Sequence, residues 1–254
     1  MVADLISHHM DVRYAKGSTI FLQGSPADML MVVLTGIVKV YCPRPDRSVL
    51  VGLAGSGDVL GFTDYLDAKG RHAQAMEAKA LTNCVIALFT RDQILKLLES
   101  LPAGQLLRIF EQVNTLWSAV AYRYAGLLSL SYRERLEWIL ADVGARFGIR
   151  EARGIFLSIE LGHEDWARMI GSSRPMVSRL MADLTRAGMI AREGKRYILL
   201  NGGGLENRKP SLVPGFPHTA ATEYKGVSGT AATSKVPSKR VSESGPVPTA
   251  PRKR

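Results

Sequence analysis

Between residues 173 and 179 the chain reads Ser-Arg-Pro-Met-Val-Ser-Arg. Arg174 and Arg179 each present a planar fork of N–H donors, a shape that matches the O6 and N7 acceptors of guanine and the oxygens of a phosphate. Ser173 and Ser178 add hydroxyls suited to phosphate oxygens. The chemistry this offers is the reading of a polyanion with accessible base edges, and Ser173, Arg174, Pro175, Ser178 and Arg179 are the candidate DNA-contacting residues.

Such donors reach base edges only when a helix carries them into a groove, and the flanking residues predict one. Gly162 is a permissible N-cap, and Glu164 and Asp165 complement the positive end of a helix dipole, so a short helix is expected from His163 to Ile170. Trp166, Ala167 and Ile170 share its inner face, with Ala167 small enough for a close crossing. Gly171 suits a sharp turn. Ser173 is the next N-cap, Pro175 fits a first turn, and Met176, Val177, Leu180, Met181 and Leu184 form the apolar stripe of a helix that stops at Gly188. Met189 to Leu200, broken at Glu193-Gly194, reads as a two-stranded wing. The whole is a winged helix-turn-helix, a motif that seats its second helix in the major groove. The competing reading is a small structural domain whose arginines form a solvated face.

The 254 residues carry a net charge of +10, unevenly distributed. Residues 201–254 hold nine Lys and Arg against three Glu, a net +6, which leaves +4 for the first 200. Electrostatic attraction to DNA therefore depends on where the arginines point rather than on bulk charge. The Gly, Pro, Ser, Thr and Ala-rich segment 201–254, ending Pro-Arg-Lys-Arg, is expected to be a disordered basic tail. It either adds non-specific attraction by counterion release or serves only as a solubilising extension. Cys42 and Cys84 are far apart with no paired spacing, so neither a zinc ribbon nor a cysteine-ligated iron–sulfur cluster is expected, and no metal site is predicted. Cys84, in the apolar run Leu-Thr-Asn-Cys-Val-Ile-Ala-Leu-Phe, reads as a small core residue. There is no apolar stretch long enough to span a membrane and no signal-peptide pattern at the start, so a cytoplasmic location is expected. Phosphate-loop, Ser/His/Asp and metal-ligand patterns are lacking, which argues against an enzyme and predicts no catalytic residues.

Upstream, β-rich runs at Thr19–Leu22, Met29–Val33, Ile37–Tyr41, Leu50–Leu53 and Val85–Phe89 alternate with glycines, the spacing of a compact double-sheet roll. A short helix over Arg91–Ser100 leads through Pro102 to a long one over Ala103–Leu128. Leu106, Val113, Val120 and Leu127 recur every seven residues with Ile109 and Leu116 between them, a coiled-coil seam that predicts a homodimer. Phe110, Trp117 and Tyr124 form a second stripe expected to pack against the roll, and Arg123 interrupts the seam. A helix buried within one subunit is the alternative. A hinge is expected at Leu128–Tyr132, followed by a helix over Arg133–Phe147 that sets Leu136, Ile139, Leu140 and Val143 under the helix-turn-helix. The fold class is α+β, divided as a β-roll effector domain over 1–101, a dimerisation helix over 102–130, a DNA-binding domain over 131–200 and the tail.

This order of parts resembles the Crp/Fnr family of bacterial transcription regulators over roughly residues 10 to 200. The run Glu164 to Ile190 carries the resemblance most specifically, supported by Gly17-Ser18-Thr19-Ile20-Phe21 and Gly36-Ile37-Val38. The resemblance implies a homodimeric transcription factor with a cyclic-nucleotide-binding-like roll of jelly-roll type, a palindromic operator in double-stranded DNA and contact with RNA polymerase. Members that bind cyclic AMP hold its ribose and phosphate with a Gly-Glu-Leu and an Arg-Ser-Ala run. Here the matching residues are Gly61-Phe62-Thr63 and His72-Ala73-Gln74, with Arg71 one place away, and the hydroxyl pair that meets the adenine falls at Val120 and Ala121. Phe62 cannot accept a ribose hydroxyl and His72 lacks a guanidinium's bidentate grip, so cyclic-nucleotide control by the usual contacts is not expected. An altered pocket that still answers to a cyclic nucleotide, a haem held by His72, His8 or His9, another small molecule, and ligand-independent binding remain open, and the effector itself is not legible. Pro175 stands where the family commonly has a glutamate that accepts from cytosine N4, so discrimination at that base is expected to be lost or moved.

Overall fold

The computed structural model describes residues 9–61 and 73–205, with the side chains of only part of the long helix. Eight strands form the N-terminal roll: β1 (Met10–Tyr14), β2 (Thr19–Phe21), β3 (Met29–Thr35), β4 (Val38–Cys42), β5 (Val49–Ala54), β6 (Val59–Leu60), β7 (Glu77–Ala80) and β8 (Cys84–Thr90). They pair into two four-stranded antiparallel sheets, β1-β8-β3-β6 and β2-β7-β4-β5. Alternation along each strand turns one set of side chains inward: in β7, Ala78 and Ala80 are buried while Glu77 and Lys79 are not. Phe21, Met31, Val33, Val38, Leu60, Cys84 and Ile86 join them in the core between the sheets.

Helix α1 (Arg91–Ser100) starts with a reciprocal cap in which the Thr90 hydroxyl accepts from the Gln93 amide at 3.3 Å and Gln93 Oε1 accepts from the Thr90 amide at 2.8 Å. Helix α2 (Ala103–Ser129) follows Pro102. The chain breaks at Leu130-Ser131, inside the predicted hinge, and Ser131 with Glu134 caps α3 (Tyr132–Phe147) in the same reciprocal way. Leu136, Ile139, Leu140 and Val143 of α3 are all buried.

The C-terminal sheet is larger than the expected wing. Strands β9 (Gly148–Glu151) and β10 (Gly154–Leu157) precede the helix-turn-helix, and β11 (Ile190–Glu193) and β12 (Arg196–Leu200) follow it, in the order β11-β12-β10-β9. The predicted two-stranded wing is thus the outer pair of four strands. At Gly154 the backbone has φ +147°, and a Cβ there would sit 1.9 Å from the Leu199 carbonyl oxygen, so the close approach of β10 to β12 requires glycine. The predicted tail also begins too early. Asn201 bonds to the Arg153 and Ala152 carbonyls at 2.9 Å each, and Leu205 is buried in the core. Residues 206–254 lie outside the described set.

One apolar cluster runs without a break from Tyr41, Leu50, Leu53 and Leu81 of the roll to α3 and the segment from Leu161 to Leu205. Strand β4 has two faces: Val38 and Val40 point into the roll core, whereas Tyr41 points out into this second cluster. Asp58 accepts from Arg146 at 2.8 Å, and a Cβ on Gly55 would meet the Phe147 ring at 2.8 Å.

Along α2, the first half stands clear of the roll. Leu107 is 61% exposed, Phe110 71% and Ile109 37%, while the seam residues Leu106 and Val113 are half-buried. The expected packing of Phe110 against the roll is therefore corrected: at 71% exposure its ring is largely uncovered among the described residues. The side chains of Leu116, Trp117, Val120, Ala121, Arg123, Tyr124, Leu127 and Leu128 lie outside the described set.

Candidate nucleic-acid interface

Helix α4 (His163–Ile170) has Gly162 as its N-cap, and Asp165 Oδ2 reaches back to accept from the Gly162 amide at 3.1 Å. Trp166, Ala167 and Ile170 are buried as the spacing predicts, joined by Met169. Gly171 takes φ +68°, the left-handed conformation that lets the chain reverse. Helix α5 (Arg174–Arg186) then starts at Ser173, whose Oγ accepts from the Met176 amide at 3.4 Å, with Pro175 in the first turn. Val177, Met181 and Leu184 are buried, but Met176 and Leu180 are only half-buried at the margin of the stripe.

Ser173, Arg174, Pro175 and Arg179 are exposed on the opposite face, as a reading helix requires. Ser178 differs from the expectation of an unencumbered donor. Its hydroxyl donates to the Arg174 carbonyl at 3.0 Å and sits 2.7 Å from His163 Nδ1. The other ring nitrogen, Nε2, is 2.7 Å from the Tyr197 hydroxyl. His163 therefore ties the start of α4 to α5 and to β12.

Among the cations of this half of the molecule, Arg135 donates to the Leu130 and Ile170 carbonyls at 2.9 and 3.3 Å, and Arg150, on β9, has no carboxylate partner among the described residues. Arg133, Arg146, Arg153, Arg168, Arg186 and Arg196 each lie beside a carboxylate, namely Glu137, Asp58, Glu193, Glu164, Asp183 and Glu160. Arg174, Arg179 and Lys195 have no carboxylate partner among the described residues, and Arg192 donates through Nε to the Gly194 carbonyl at 2.9 Å. Arg174, Arg192 and Lys195 converge on a hollow of about 310 Å³ whose other walls are Leu161, Gly162, His163 and Tyr197. Burial, then the charges of Arg192 and Arg174, pushes the His163 imidazole below its ordinary range. Burial raises the Tyr197 phenol, outweighing the opposing pull of Arg192, so its proton stays on. Cations without carboxylate partners around a concave surface are suited to hold an anion, and this hollow includes Arg174 at the N-terminal end of α5.

His163, Arg192, Lys195 and Tyr197 are not among the residues that sequence singles out. Lys195 lies in the Glu193-Gly194 turn, which marks a wing tip, but nothing local signals that His163, more than thirty positions earlier, comes against Tyr197.

Less of the candidate effector pocket is described. Gly61, at φ +71°, lies against the Gln74 amide group, and a Cβ there would meet both amide atoms at 3.0 Å. Gln74 is 1% exposed, and neither of its side-chain polar atoms has a hydrogen-bond partner among the described residues. Ala73 is exposed and bridges to Pro26. Phe62, Thr63, Arg71, His72 and His8 lie outside the described residues. His9 pairs with Asp11 at 3.0 Å and stands against the Phe89 ring. Cys84 is buried, with Sγ donating to the Ile37 carbonyl at 3.4 Å, consistent with its reading as a core residue.

Residues 11–101 match the cyclic nucleotide-binding domain family, and residues 127–208 match the Crp-like helix-turn-helix domain family. The chain is 30% identical over 204 residues to the transcriptional regulator LdrP of Thermus thermophilus, an alignment covering 79% of this chain and 97% of that protein. The chain belongs to the Crp/Fnr family. It is also 26% identical over 214 residues to the CRP-like cAMP-activated global transcriptional regulator of Mycobacterium tuberculosis, covering 82% of this chain and 91% of that one. Among solved structures, a CRP-family transcriptional regulator from Thermus thermophilus aligns with a TM-score of 0.63 at 27% identity, covering 77% and 94% of the two chains. Crp/Fnr proteins are DNA-binding transcription regulators rather than enzymes, and this chain is a regulator of that type. The Crp/Fnr match at residues 127–208 includes α4, α5 and the cationic hollow. Among the described residues, no helix is long and apolar enough to cross a membrane.

Proposed function

We propose that two copies of the chain join along α2 and present their α5 helices to successive major grooves of a palindromic operator, with Ser173, Arg174 and Arg179 as the DNA-reading residues. The observation that carries this reading is the absence, among the described residues, of carboxylate partners at Arg174, Arg179 and Lys195, in a molecule that neutralises most neighbouring arginines. Regulation enters through the roll, by a signal other than cyclic AMP held in the usual way: Gly61 is followed by Phe62 where the ribose-binding glutamate would stand. RNA polymerase is the further partner, and the setting is the cytoplasm.

Selection of sites from a random DNA library, with protein alone and again with cyclic AMP at matched salt, tests the proposal. Enrichment of a palindrome without nucleotide supports it. Enrichment only with cyclic AMP would overturn the assignment of the signal, and an asymmetric single site would overturn the dimer.

The dimer has its own test. Ile109 of the seam is 37% exposed within one protomer, and Leu107 and Phe110, elsewhere around the helix, are more exposed still. Ile109→Glu would bury an unpaired carboxylate from each copy in the seam, and the dimer dissociation constant is expected to rise by about 100-fold or more. Sedimentation equilibrium checks this, and an unchanged constant would remove Ile109 from the interface.

One observation favours a second reading, constitutive DNA binding. The reading head already shares a core with the roll, and Lys39 of β4 donates to Asp165 of α4 at 2.9 Å with both side chains mostly buried. Burial alone would lower the Lys39 ammonium, but the hydrogen bond and charge of Asp165 outweigh it and hold it above its ordinary value. What this pair adds to stability is complete below the unfolded lysine's pKa of 10.5 and is lost only as pH rises through the higher folded value. DNA affinity that no metabolite alters would select this reading.

A further inference from the structure

Resting on the DNA-binding reading, we infer that the hollow between α4, α5 and the wing takes one backbone phosphate per protomer, and that His163 makes this grip proton-linked through a reversible hydrogen bond to Tyr197.

The hydrogen-bond directions follow from counting protons. Ser178 has one hydroxyl proton, and it is donated to the Arg174 carbonyl. Toward His163 the Ser178 oxygen is then an acceptor, so Nδ1 carries the proton of the neutral ring. Nε2 is left as an acceptor, and the Tyr197 O–H must donate to it across 2.7 Å. In this state the phenol proton is engaged by His163, a wall of the same hollow, and is not available to an anion held there. When His163 takes up a proton, Nε2 becomes a donor and the direction reverses. Tyr197 now accepts from the ring, and its own proton is released toward an anion in the hollow. No heavy atom needs to move and the proton count balances: one is taken from solvent, and the existing phenol proton changes partner.

The charges around the ring set the sign of the coupling. Arg174 faces it from α5, Arg192 from β11, Lys195 from the β11–β12 turn and the neutral Tyr197 from β12. On its own helix, Glu164 is paired with Arg168 and Asp165 with Lys39 of β4. In the free protein burial, then the charges of Arg192 and Arg174, disfavour the imidazolium. A phosphate in the hollow offsets the cations and accepts the phenol proton, so the complex holds the proton more tightly than the free protein does. By linkage, DNA affinity rises as pH falls through the pKa of the complex and levels off below that of the free protein.

The experiment measures affinity for a random-sequence duplex at fixed salt between about pH 8 and about pH 5, for the wild type, His163→Gln and Tyr197→Phe. It is paired with an NMR titration of the His163 ring with and without duplex. Wild-type affinity is expected to gain roughly tenfold per protomer over His163→Gln across this range, given a difference of about one pH unit between free and bound titrations. Tyr197→Phe, which has no proton to redirect, should be as flat as His163→Gln. The NMR titration should move upward with duplex, and it tests wild-type protein even if a variant misfolds. Identical pH slopes in all three proteins, or a His163 titration indifferent to duplex, would overturn the proton link while leaving DNA binding intact. Inorganic phosphate at matched ionic strength shifting His163 as far as duplex does would overturn the assignment to the DNA backbone. Absence of duplex binding at every pH would overturn the DNA-binding reading itself.

Discussion

Arg179→Ala is expected to weaken binding to the selected operator by about 1–3 kcal/mol per half-site, and by about twice that for a symmetric dimer. Arg179 projects from the exposed face of α5, one and a half turns beyond the helix start, with no carboxylate among the described residues to neutralise it. Its fork can therefore pair with guanine without first breaking an internal contact. The decisive quantity is the ratio of specific to non-specific affinity at one salt concentration. Loss of a base reader collapses that ratio, whereas loss of a phosphate contact such as Lys195 weakens all sequences alike and reduces the salt slope by about 1. Competition binding with operator and scrambled duplexes distinguishes the two, and an unaltered ratio would take Arg179 out of the base-reading role.

Trp166→Ala is expected to destabilise the fold by about 3–5 kcal/mol, a large share of the stability of an ordinary domain. Trp166 is 1% exposed in the cluster that joins the roll, α3 and the reading helices, so its removal leaves a void in contact with all three. Trp166→Phe should behave very differently. The indole Nε1 is buried without a hydrogen-bond partner among the described residues, so the indole carries a desolvated donor that phenylalanine lacks. Loss of ring volume and relief of that donor act in opposite directions, and the net change is expected within about 1.5 kcal/mol. Chemical denaturation of both variants checks the pair. Equal losses for the two would show that shape, not volume, decides at this site.

The parts of the molecule that are legible in sequence are those whose signals are local. Helix α4 begins and ends where Gly162 and Gly171 place it, and Ser173 and Pro175 mark the start of α5, because caps and turns are decided by a few adjacent residues. Strand β7, Glu-Ala-Lys-Ala, is not legible: none of its residues favours a strand, and it exists because β2 and β4 pair with it from either side. Strands β9 and β10 escape for a related reason, being four residues each and defined by pairing with one another and with β12. The apolar seven-residue stripe on α2 is visible, but a sequence period cannot say which neighbour a stripe meets, and Phe110 is left largely exposed. At the candidate site the arginines of α5 can be read from type and spacing. The bridge from His163 to Ser178 and Tyr197 cannot, since it depends on the wing folding back across the helix pair.

The unbroken apolar cluster between the roll and the reading head bears on how the molecule comes apart. Tyr41, Leu50 and Leu53 on one side and Leu136, Trp166 and Met169 on the other belong to one cluster, so a cut between residues 101 and 131 would expose its two sides to water even though the roll keeps its own core between the sheets. Calorimetry should then register one cooperative melting event spanning both parts rather than two separate ones. A ligand that stiffens the roll raises the melting temperature of the DNA-reading helices with it, which makes thermal shift a way to search for the effector without knowing any target promoter.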